Sequence, residues 1–120
     1  MDFGLDVTER QGCTVLAATG EVDVATAPQL RQEAVRLVAA GQSRLVIDLS
    51  GVDFLDSTGL GVIVGVLKRV RTHDGVLAVA GAENHVRKVF DITRISDVLP
   101  MFSTVDEACV AITSGDASTG

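Results

Sequence analysis

The sequence predicts an α/β domain built on a mixed β-sheet, an opening hairpin followed by strands made parallel through helical crossovers. Three observations predict it. Two apolar segments at the start of the chain flank a Gln-Gly turn. Short aliphatic runs then alternate with stretches of helical spacing. One of those runs, "RLVIDL" (44–49), is apolar almost without interruption, as expected of a strand buried on both faces.

The elements follow in order. "FGLDV" (3–7) and "CTVLAATG" (13–20) read as paired strands, with Arg10-Gln11-Gly12 as the hairpin turn between them. After "GEVDVA", Thr26 is placed to cap a helix, Gln29 to complete a capping box, and Pro28 to sit in the first turn. Leu30, Ala34, Leu37 and Val38 carry that helix to a stop at Gly41. The strand at 44–49 leads through a loop, "SGVDFLDSTG" (50–59), into a second helix from about Ser57 to Thr72. "GVLAVAG" (75–81) is the next strand, and Asn84 is placed to cap a short helix through Phe90. Thr104 and Glu107 make a second capping box, opening a last helix to about Ile112. The domain is expected over 1–113, with 114–120, "SGDASTG" from position 114, as a flexible tail with nothing to bury.

Composition narrows the function. A chain of 120 residues suits one domain, able to bury roughly two-thirds of its unfolded surface. Its net charge of −6, with only 10 basic residues, argues against nucleic acid as a partner. No apolar run reaches the ~20 residues of a membrane span, and "MDFGLDVTER" lacks the features of a signal peptide. Cys13 and Cys109 show no metal-type or redox spacing and read as buried thiols of a reducing cytoplasm, with a disulfide or a metal pair as the alternative.

The second helix is the unusual element. "STGLGVIVGVL" (57–67) holds three glycines and has no charged side chain before Lys68. Leu60, Ile63, Val64 and Leu67 form a stripe expected to face the sheet, while Val62, Val66, Arg69 and Val70 lie away from it. Each glycine inside a helix costs ~1 kcal/mol relative to alanine, so Gly61 and Gly65 call for a reason. Two readings stay open on the pattern alone. Either Gly61, Val62, Gly65 and Val66 form a surface where a partner docks, or neighbouring helices of the same domain pack there.

The entrance to this helix carries Ser57 and Thr58, between Asp53 and Asp56 and the glycines. Free backbone N–H groups and the helix dipole favour negative charge at that point. A cap, by Asp56 or by Ser57 itself, accounts for one polar side chain but not for a second hydroxyl at Thr58 beside an apolar face. A hydroxyl next to a docking face is well placed as a phosphorylation switch. Competing motifs fit less well. The dinucleotide pattern would need glycine where Val64 stands, and its glycines fall inside the helix behind an acidic turn. The nucleophile elbow is absent because position 55 is leucine. His73 and His85 have no triad-like partners in the pattern, so no catalysis by this chain is expected.

These residues resemble a known family. "GEVDVATAPQL" (20–30), "RLVIDLSGVDFLDSTGLGVIVGVLKRVR" (44–71) and "LAVAGAENHVRKVFDITRISDVLPMF" (77–102) are similar to the STAS domain of bacterial anti-sigma factor antagonists. The Asp-Ser-x-Gly-Leu-Gly turn is the most specific element. The resemblance implies a mixed sheet with helices packed largely on one side. It implies that Ser57, preceded by Asp56, is phosphorylated by an anti-sigma factor that is itself a serine/threonine kinase using ATP. The acidic residue of "GEVD" maps onto Asp23, which is expected beside the phosphosite. Gly59, in the same turn, joins Gly61, Val62, Gly65 and Val66 as expected partner-binding residues.

The implied mechanism is partner switching without a cofactor bound to this chain. Unphosphorylated, the protein docks on the anti-sigma factor and releases a sigma factor. Phosphorylated, it lets go until a metal-dependent serine/threonine phosphatase resets it. Other proteins with this domain are scaffold subunits of stress-signalling assemblies, tails of anion transporters or accessories of lipid transport. A free-standing scaffold subunit or a lipid-transport accessory protein is therefore the alternative reading.

Overall fold

A computed structural model describes residues 2–114. Strands β1 (Gly4–Arg10) and β2 (Cys13–Val22) precede helix α1 (Ala27–Ala39), strand β3 (Arg44–Leu55) and helix α2 (Ser57–Thr72). Strand β4 (Val76–Ala80), helix α3 (Asn84–Ile92), a short 3-10 turn (Ile95–Asp97), strand β5 (Met101–Phe102) and helix α4 (Val105–Ser114) complete the domain. Ser114, expected to open the tail, is instead the last residue of α4, and the rest of the expected tail, 115–120, lies outside the described residues.

The five strands lie side by side in chain order. β1 and β2 are antiparallel, joined by a tight turn in which Gln11 and Gly12 have φ of 53° and 84°, as a right-twisting two-residue hairpin requires. The remaining pairs are parallel. A right-handed crossover that always steps toward the same edge returns its helix to the same face each time. Accordingly α1, α2 and α3 share one core with Leu16, Leu45, Ile47, Leu77 and Val79. The alternate strand residues Cys13, Val15, Val46, Ala78 and Ala80 point to the other face, where α4 covers them with Ala108, Cys109 and Ile112.

Several expectations are corrected. The segment 50–55 is strand, not loop: β3 runs on to Leu55 because Thr19–Val22 of β2 pair with Gly51–Leu55 across two register shifts. Ser50 and Gly51, the start of the expected loop, are accommodated within that irregular strand. The Thr26–Gln29 capping box does not form. Thr26 Oγ1 instead donates to the Glu21 carbonyl at 2.7 Å and accepts the Asp23 N–H at 3.0 Å. Asn84 does not cap α3 either, since it is already the first helical residue. The second box does form: Glu107 Oε1 accepts the Thr104 N–H and Thr104 Oγ1 accepts the Glu107 N–H, both at 3.1 Å. Strand β5 was absent from the sequence reading because two residues carry no periodicity. It is recruited by β4, through Val79 and Ala80.

Candidate functional site

The site sits where β2 and β3 end side by side. Val22 pairs with Leu55, and the Asp56 N–H donates to the Val22 carbonyl at 3.2 Å. The turns that follow, one at Asp23 and one at Asp56, therefore start from neighbouring points. Each aspartate organises its own turn. Asp23 Oδ1 accepts the N–H groups of Ala25 and Thr26 at 3.0 and 3.1 Å, starting α1 in place of the expected Thr26 cap. Asp56 is the N-cap of α2, and its Oδ1 accepts the Gly59 N–H at 2.9 Å.

That assignment leaves Ser57 at the first helical position and exposed, with Thr58 exposed beside it. With Gly59 bonded to the Asp56 side chain and the Leu60 N–H to the Asp56 carbonyl at 2.9 Å, the N–H groups of Ser57 and Thr58 have no intrahelical acceptor. An anion carried by Ser57 meets two open donors and the positive end of a four-turn helix.

The glycines separate into two kinds. Gly59 is buried, and a Cβ there would stand 2.6 Å from Val22 Cγ1 and 2.7 Å from Leu55 Cδ1. It is bare so that α2 can start hard against the ends of both strands, and its expected role as a partner contact is corrected. Gly61 and Gly65 are exposed, and a Cβ at either would meet nothing within 4 Å. Internal packing therefore does not explain them. They floor a groove of about 410 Å³ between α1 and α2, with Thr58 and Val62 along it and Arg31 and Arg69 at its sides.

The apolar stripe of α2 is also wider than expected. Val66 and Val70 are 2% and 1% exposed, because α1 covers the side of α2 that the sequence left open. Val66 belongs to the core and reaches the groove only as part of its floor, so its place among surface contacts is corrected. Val62 is half-buried and Val64, expected in the inner stripe, is only half-buried too.

Two residues were missed by sequence reasoning. Phe54 is 47% exposed next to the α2 entrance, and Val24 is 71% exposed in the Asp23 turn. The signal available was the strand pattern of "GVDFL": with Val52 and Leu55 inward, Asp53 and Phe54 are left outside. His85, from the first turn of α3, holds this strand end by its Nε2, 2.6 Å from the Asp53 carbonyl. A carbonyl only accepts, so Nε2 carries the proton. Among the described residues, no group of three or more His, Cys, Asp or Glu side chains is arranged to hold a metal ion. No helix among them is long and apolar enough to cross a membrane.

Comparison with known proteins adds the following. A family model of the STAS domain matches residues 4–108. The anti-sigma-B factor antagonist of Bacillus subtilis (strain 168) is 36% identical over 99 residues, which cover 82% of this chain and 90% of that protein. The crystal structure of an anti-sigma factor antagonist from Mycobacterium paratuberculosis has TM-score 0.86 at 31% identity, covering 93% of this chain and 95% of that one. The Bacillus cell fate determinant SpoIIAA, in its phosphorylated form, shares the fold with TM-score 0.71 and 21% identity, over 92% of this chain and 99% of that one.

Proposed function

From the premise that this chain belongs to the STAS-domain family of anti-sigma factor antagonists, we propose that it is switched by phosphorylation of Ser57. Unphosphorylated, it binds an anti-sigma factor with serine/threonine kinase activity, and the sigma factor is released. The kinase then transfers the γ-phosphoryl group of ATP to the Ser57 hydroxyl, and the complex separates. A serine/threonine phosphatase restores the binding form.

One observation carries the reading. Asp56 takes the cap of α2, which leaves the Ser57 hydroxyl exposed at a helix N-terminus and adjacent to the groove floored by Gly61 and Gly65. The added charge is tolerated by the domain, since the helix dipole and the open N–H groups of Ser57 and Thr58 stabilise it. A partner closing over the same charge, with Asp53 and Asp56 close by in the chain and the Asp23 turn on the same rim of the sheet, meets desolvation and like-charge repulsion. The switch acts on docking rather than on folding. Val24 and Phe54, exposed beside the two acidic turns, extend the proposed docking surface beyond the groove.

The test uses a candidate anti-sigma kinase, this chain and two nucleotides. With a non-hydrolysable ATP analogue the two proteins should stay together. With ATP, one phosphate should appear on this chain and the complex should dissociate. A chain that binds equally well under both conditions and takes up no phosphate contradicts the switch and favours a scaffold role.

A further inference from the structure

We propose that Cys13 and Cys109 form an intramolecular disulfide under oxidising conditions, a modification that staples α4 to the start of β2. The two residues are 96 positions apart, yet Cys13 Sγ donates to the Cys109 carbonyl at 3.7 Å, and both side chains sit in the small core on the α4 face. The Cys109 side chain also lies close enough to help hold the Cys13 thiol in its neutral form. Around them α4 is registered against the hairpin: Arg10 pairs with Asp106 at 3.1 Å, and the Gly12 backbone approaches Thr113. Among the described residues no third metal-type ligand joins the pair.

In the closed domain the pair is inert. Cys13 and Cys109 are 2% and 0% exposed, out of reach of oxidant, and burial pushes the Cys13 thiol up to about 12, so its reactive thiolate is not formed. The helix above them is the weakly held one. Its core consists of alanines, valines, one isoleucine and the two cysteines, whereas α1, α2 and α3 share a core rich in leucine and isoleucine. The Arg10–Asp106 pair is exposed on both sides and adds little. Local opening of α4 is therefore the event that lets oxidant in.

The chemistry balances with hydrogen peroxide as the oxidant. One thiol, as thiolate, attacks a peroxide oxygen; the O–O bond breaks, a sulfenic acid forms, and water leaves after proton transfer. When α4 closes, the second thiol attacks the sulfenic sulfur, the S–O bond breaks, and a second water leaves. Two thiols lose two electrons and one peroxide is reduced to two waters. The staple would lie on the face opposite α2, so it stabilises the domain without touching the phosphosite.

The full chain treated with hydrogen peroxide is the test. Peptide mass spectrometry without reductant should show residues 13 and 109 linked within one molecule, with a mass lower by two hydrogens. The melting midpoint should rise by several degrees and return when dithiothreitol is added. Urea below the global transition should speed the linkage, because it favours the open form of α4. In Cys109→Ala, Cys13 should stop at the sulfenic acid and be trapped by dimedone. Thiols that stay reduced throughout the urea series, that proceed separately to sulfinic acids, or that link only between molecules would overturn the proposal.

Discussion

The backbone N–H of Asp56 donates to the carbonyl of Val22 at 3.2 Å, tying the end of β3 to the end of β2. This one bond brings the Asp23 turn and the Ser57 turn to the same rim of the sheet, although 34 residues separate the two positions in the chain. Three predictions rest on that rim and the helix that starts there, and a fourth on the small core behind the sheet.

Incubation with a cognate kinase and ATP should place a single phosphate on Ser57 and none on Thr58. Ser57 is the first helical residue, set outward by the Asp56 cap, while Thr58 turns into the groove between α1 and α2. Mass spectrometry locates the phosphate, and uptake should vanish in Ser57→Ala.

That phosphate should separate binding from folding. It adds roughly −1.5 to −2 charge at a helix N-terminus, so far-UV circular dichroism and cooperative unfolding should stay nearly unchanged. The complex with the kinase should weaken by at least ~3 kcal/mol, more than a hundredfold, where the charge is desolvated without a basic partner. Calorimetry on the unphosphorylated, phosphorylated, Ser57→Ala and Ser57→Asp forms measures this. Ser57→Asp should reproduce part of the loss, and Ser57→Ala none of it.

The three glycines of α2 should respond in opposite directions. Gly59→Ala forces a Cβ to within 2.6 Å of Val22 Cγ1 and should destabilise by about 1–3 kcal/mol. Gly61→Ala and Gly65→Ala place a methyl group in open space and should stabilise by roughly 0.5–1 kcal/mol through helix propensity. Gly65→Leu should likewise leave the domain folded while abolishing partner binding. Urea midpoints read the stability arm, and titration against the kinase reads the other.

Stability should fall in alkali through Cys13. Burial first, and then the Cys109 side chain, raise its thiol from 9.0 to about 12. The unfolded chain releases this proton near its ordinary value while the folded chain retains it, so the unfolded state binds fewer protons in between. Stability contributed by the neutral buried thiol is therefore complete below about pH 9 and is lost progressively as pH rises toward 12. Cys13→Ala should be less stable at neutral pH but show a flatter decline, measured as urea midpoints from about pH 8 to pH 11.

The sequence by itself determined those features whose causes lie within a few residues of one another. The Thr104–Glu107 capping box and the bounds of α2 from Ser57 to Thr72 stand as read, and the hairpin turn stands at Gln11-Gly12, with Arg10 belonging to β1 instead. Each depends on a local hydrogen bond or on a single-residue φ preference, which neighbouring residues suffice to specify. The alternation of β1 to β4 with the crossover helices along the chain was legible from the apolar patterns, whereas the packing of helices largely on one side was what the family resemblance implied. Only α4, which is not a crossover, lies behind the sheet.

What tertiary structure alone decided is which surfaces are covered, and by what. Val66 and Val70 looked outward on the helical pattern of α2, but α1, from a separate stretch of chain, closes over them. Residues 50–55 looked like a loop until β2 supplied hydrogen-bonding partners for them. Gly59 and Gly61 are alike in sequence. Only the positions of Val22 and Leu55 make the first an interior contact and leave the second open. Burial is a property of pairs of distant segments, and periodicity along one segment cannot say which of its faces a distant partner will occupy.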